Sequence, residues 1–168
     1  MLFRSALARL SMFNGDYDYY EKEYNRHVAY SLAVVKAEDL FFEFVKRAGS
    51  YRLTRDERDF EAVQTILREL SNISELYHGH RLFVLHNLVR INYLTLFTSR
   101  TETLRSLELE IDSILQQINK YFEKFELDTF YQSIRFIVDF MYFEYYQRTG
   151  NQVRADHYLR LINQTVPD

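Results

Sequence analysis

The chain of 168 residues has no cysteine and no tryptophan, a single proline and only four glycines. Without cysteine there is no disulfide framework, thiolate nucleophile or thiolate metal ligand, which removes several enzyme classes but is neutral about compartment; a cytoplasmic setting is the expected default. Scarce glycine and proline leave little material for the many tight turns of a sheet protein, so the fold class predicted is all-α. No apolar run approaches the roughly 18 residues of a membrane span. Even VAYSLAVV (28–35) is short and closely flanked by charge, so no membrane partner is expected. Charge of one sign is also missing: 21 basic residues face 24 acidic ones, without long runs. Arg52, Arg55 and Arg58 are offset by Asp56, Glu57 and Asp59, so nothing marks a nucleic-acid surface.

What the chain does contain is 47% hydrophobic residues, including 14 Tyr and 14 Phe, with 27% charged. That is the composition of a folded domain with an aromatic core. Helix punctuation divides it. Lys46 and Arg47 ahead of Gly49 predict a helix end, and Thr54 with Glu57 predicts a capping box opening a helix to about Leu70. Phe60, Val63, Ile66, Leu67 and Leu70 keep helical spacing along it. Ser71 and Asn72 predict a break, and Gly79 a stop before the apolar run at 81–97. Ser99 with Glu102 predicts the start of a further helix, its apolar face running Leu104, Leu107, Leu109, Ile111, Ile114, Leu115, Ile118 and Phe122. Asp128 is expected to cap a helix reaching Thr149, and Gly150 with Asn151 to separate it from a last helix ending near Asn163. Residues 16–48 carry no glycine or proline and read either as one long helix or, with a tight turn near Asn25 to Ser31, as two.

Residues 136–168, FIVDFMYFEYYQRTGNQVRADHYLRLINQTVPD, resemble one tetratricopeptide repeat. Tyr146 stands as the aromatic before the turn, Gly150 in the turn, Ala155 as the small residue of the second helix and Pro167 as the closing proline, with Tyr142 and Leu159 at large apolar positions. SALARLSMFNGDYDYYEKEY (5–24) is similar through Leu7, Ala8, Gly15, Asp16, Tyr17 and Tyr24. Gly15 and Gly49 stand 34 residues apart (49 − 15), the length of such a repeat. Phe143 and Tyr20 depart from the pattern, each replacing a small residue. The resemblance implies antiparallel helix pairs stacked as a superhelix, in which Ile137, Phe140, Glu144 and Gln147 face a concave groove that binds a protein or peptide partner. A compact helical bundle is the alternative architecture. Repeats of this family that grip a terminal carboxylate use Lys and Asn where Phe140 and Glu144 stand, so that activity is not carried over.

Chemistry-bearing residues read mostly as structure. Glu75 and His78 make an i, i+3 carboxylate–histidine pair like those of di-iron bundles, with His80 and His86 nearby, but no second ExxH occurs. The histidines flanking Gly79 are also expected not to share one helical groove, so a helix end is preferred to a metal site. No GxSxG elbow or glycine-rich phosphate loop is present. At Tyr19-Tyr20 and Tyr145-Tyr146 successive rings point differently, so at least one of each is expected near the surface. The 15 residues MLFRSALARLSMFNG carry Arg4 and Arg9 with no acid, a pattern shared by a first helix and an organellar transit peptide. The reading is a non-catalytic scaffold without cofactor. A regulatory repeat region of a longer protein, and a bundle holding a metal or small hydrophobic ligand, are its rivals; self-association is left open.

Overall fold

A computed structural model of the chain describes residues 17–98 and 101–165. The expectations resting on 1–16, on Ser99 and on Pro167 lie outside these residues. Seven helices and no strand occur among them: α1 (Tyr17–Thr54), α2 (Glu57–Leu76), α3 (His80–Phe97), α4 (Thr101–Ser106), α5 (Glu108–Lys124), α6 (Thr129–Thr149) and α7 (Gln152–Thr165).

The alternative left open over 16–48 resolves to one helix. α1 runs 38 residues, about 57 Å, without a turn at Asn25–Ser31. The Ser31 hydroxyl donates back to the His27 carbonyl at 2.9 Å and Arg26 pairs with Glu23, both contacts that keep the helical path. The stop expected at Gly49 is absent too. Beyond it Tyr51 packs on Phe97 with ring centroids 4.5 Å apart, and Arg52 is held by Glu144, so tertiary contacts outweigh the helical cost of glycine. The left-handed residue that ends α1 is Arg55, at φ 57°, whose amide donates to the Tyr51 carbonyl. Asp56, not Thr54, caps α2 by accepting from the Arg58 amide at 2.9 Å. Gly150, at φ 81°, is the residue that does end a helix as expected.

A Cβ at Gly49 would meet no atom within 4 Å. Gly49→Ala is therefore expected to stabilise the fold by about 1 kcal/mol, while Gly150→Ala costs about as much. Urea titrations of the two variants check the pair, and opposite signs are the expected result.

α2 passes through Ser71 and Asn72 unbroken and buries Val63, Ile66 and Leu70. The helix predicted to carry Leu104 through Phe122 is interrupted once, at Leu107, into α4 and α5. Leu104, Ile111, Leu115, Ile118 and Phe122 keep the predicted face, but Leu109 is 88% exposed, since two residues before Ile111 a helix points the other way. Asp128 caps α6 by accepting from the Phe130 amide, and Asn151 accepts from the Arg154 amide at the start of α7. Leu159, expected as a large apolar packing position, is 39% exposed, and α7 continues to Thr165.

α3 is the centre. It packs against α1, α2, α5 and α6, which is why it is apolar around most of its circumference. Two of its buried polar residues are satisfied locally: the Asn87 amide donates to the Phe83 carbonyl and the Thr95 hydroxyl to the Ile91 carbonyl. One hydrophobic core runs from Ala37 to Tyr158 through Phe41, Phe44, Leu85, Leu88 and Tyr131. The first half of α1 lies at its edge: no residue from Asp18 to Lys36 is buried, and Tyr30 and Val34 pack against the core while partly exposed.

Candidate functional site

Two polar layers tie α1, α3 and α6 together and reveal their directions. In the first, Arg81 on α3 donates to Glu38 on α1 at 2.8 Å and to Asp128 at the head of α6. Its guanidinium also lies 4.6 Å from the centre of the Phe130 ring. In the second, Arg52 on α1 grips Glu144 on α6 with two hydrogen bonds, 2.8 and 2.5 Å, and Asn92 on α3 donates to the same carboxylate at 3.1 Å. Glu38 to Arg52 spans about 21 Å of helix and Asp128 to Glu144 about 24 Å, with the contacts in the same order. The three helices therefore run the same way, side by side.

That arrangement fixes the four residues predicted to face a partner. Ile137 packs against the core, and Phe140 lies under the Arg52 guanidinium, 5.5 Å from its ring centre. Glu144 is only 14% exposed and its oxygens are taken by Arg52 and Asn92. Gln147 is exposed and joins Thr95, Leu96 and Arg148 around a cleft of about 370 Å³. Sequence spacing brought the four onto one helical face correctly, but nothing in it signalled that Arg52, 92 residues away, would occupy the middle of that face.

A larger set of recesses lies elsewhere. Between α2, α3 and Tyr121 of α5 is a pocket of about 500 Å³ holding Glu75, His78, His80 and His86. A second of about 500 Å³, around Tyr93 and Leu94, shares Ser71 and His86 with it. A third of about 670 Å³, under the projecting part of α1, shares Tyr77 and His78. The first two adjoin across Ser71 and His86 as a trough along α2 and α3, and the third lies beyond its end, between α1 and the Tyr77–Gly79 connection. Contrary to expectation, His78 and His80 both line the trough, because the Tyr77–Gly79 connection is extended and not helical. Gly79 lets the Tyr30 hydroxyl approach closely: a Cβ there would meet it and displace that ring.

Among the described residues no three of His, Asp and Glu converge in a way that would hold a metal. His80 is committed instead to Tyr131, its Nδ1 2.7 Å from the hydroxyl, and stacks on Phe125 at 4.0 Å. Burial, with Arg81 adding to it, holds His80 below its ordinary value of 6.5; burial and then Arg90 do the same for His86. The unfolded chain thus binds these protons more tightly, and stability present above pH 6.5 is lost as pH falls through it. The melting temperature is expected to fall between pH 7.5 and 5, and scanning calorimetry of His80→Gln/His86→Gln should show a flatter dependence over that window.

The tyrosine pairs behave unequally. Tyr19 is 63% exposed, but Tyr145 and Tyr146 are both buried, because α6 is enclosed on several sides. Tyr146 stacks on Tyr158 of α7, while Tyr145 sits near Asp112 on α5, with its hydroxyl unpartnered. Burial raises the Tyr146 phenol to about 12, against the opposing pull of Arg154.

No described helix is long and apolar enough to cross a membrane. Comparison of the chain with protein-family models, with curated proteins and with solved structures finds no match.

Proposed function

We propose that the chain is a non-catalytic scaffold that binds a protein or peptide partner, acting in the cytoplasm as a single helical domain of tetratricopeptide-like hairpins, α1/α2, α3/α5 and α6/α7. The observation carrying this reading is the trough along α2 and α3, two adjoining recesses lined by aromatic, aliphatic, hydroxyl, imidazole and guanidinium side chains carried mostly on helices. Such a surface suits an inserted segment better than the α6 face, where Arg52 already engages Phe140 and Glu144. The non-catalytic part is supported by how two interior acids are used: Asp59 and Glu144 are each paired with an arginine.

A photo-crosslinking residue at exposed Asn72, on the trough wall, tests the proposal against the same probe at Ser133 on α6. A discrete protein adduct at Asn72 and none at Ser133 is expected in extracts of the source cells. Native mass spectrometry showing a stoichiometric metal or small molecule, with no adduct at either position, would replace the scaffold reading.

A further inference from the structure

Resting on that reading, we infer that the segment occupying the Tyr93–Leu94 end of the trough is acidic and amphipathic, an apolar anchor flanked by carboxylates. The recess around Tyr93 and Leu94 is lined by nine residues, two of them arginines and none an acid. Leu67, Tyr93 and Leu94 make its apolar floor and are only partly buried, so they have surface left to give. Arg68 stands exposed on the α2 wall and pairs with no carboxylate among the described residues. Arg90 on the α3 wall shares one hydrogen bond of 2.9 Å with Glu110, itself half exposed, a surface pair weak enough to be exchanged for a partner's carboxylate. Two guanidiniums on opposite walls of an apolar recess are a fork-shaped donor set for carboxylates on either side of one large side chain.

The length of the trough sets the length of the guest. From Gln64 to Glu75 the α2 wall extends about 17 Å, room for three helical turns or about five extended residues. Polarity changes along it: past Ser71 the lining gains Glu75 and the histidines, so the acids of the guest belong at the Arg68 end. The shared His86 marks the boundary between the two chemistries.

A random 16-residue peptide library displayed on phage and selected against the immobilised full chain tests the inference. Enriched sequences should combine Asp or Glu with Leu, Phe or Tyr, bind more weakly as salt rises, and lose roughly tenfold in affinity for Arg68→Glu and for Arg90→Gln. Arg68 is exposed, so the first variant keeps its fold, and its unchanged melting temperature verifies that. Sequences without acidic bias, binding indifferent to both variants, or no enrichment at all overturn the inference. Peptides that instead shift the amide resonances of Thr95, Gln147 and Arg148 would overturn it while leaving the scaffold reading standing.

Discussion

Glu144→Lys is expected to destabilise the fold by about 3 kcal/mol or more, because it sets a cation against the largely buried Arg52 and leaves Asn92 without its acceptor. Adding Phe140→Ala removes the ring on which Arg52 rests and deepens the loss. A partner-binding carboxylate on an open groove would behave otherwise: the reversal would weaken binding and leave the melting temperature alone. The reciprocal exchange, Arg52→Glu with Glu144→Arg, should recover part of the stability, since charge complementarity is restored but the bidentate geometry is not. Thermal melts and urea titrations of the three proteins distinguish these outcomes.

Tyr142→Ala is the second large effect, with an expected cost of about 4 kcal/mol from the cavity it opens in a fully packed layer. Tyr142 is 2% exposed, its ring 4.9 Å from that of Tyr158 on α7, and its hydroxyl donates to the Leu115 carbonyl on α5 at 3.2 Å. It therefore joins three helices. Tyr142→Phe separates packing from hydrogen bonding: keeping the ring but losing the donor should cost about 1 kcal/mol. Near-equal effects of the two substitutions would mean that the hydroxyl, and not the ring, fixes α6 against α5.

The caps show what local sequence carries and what it does not. Asp128 and Gly150 bound α6 as their chemistry predicts, since both act within a few residues of themselves. Gly49 carries the same local signal as Gly150 and is overridden, because Ala48, Tyr51 and Arg52 make contacts with distant helices that demand another turn of α1. The left-handed end then falls on Arg55, a residue type that gives no warning. The binding face suffers from the same limit. Helical spacing places Ile137, Phe140, Glu144 and Gln147 on one stripe of α6, which is a property of the helix alone. Whether that stripe is free depends on α1, and the trough depends on how α2 and α3 are spaced around the Tyr77–Gly79 connection. Neither is encoded within a window of twenty residues. Burial of both Tyr145 and Tyr146 has the same origin: a helix with neighbours on several sides buries adjacent positions that a helix with a single packed face would separate.

α1, α3 and α6 lie side by side in one direction, which sets the Arg52 side chain across Phe140 and Glu144 on the α6 face. A double-mutant cycle of Arg52→Met and Glu144→Leu, measured by urea unfolding, tests this most directly. A coupling of about 2 kcal/mol is predicted, with the double variant far more stable than the sum of the single losses implies. Additive effects of the two substitutions would contradict it, for then these residues do not meet and Arg52 does not tie α1 to α6.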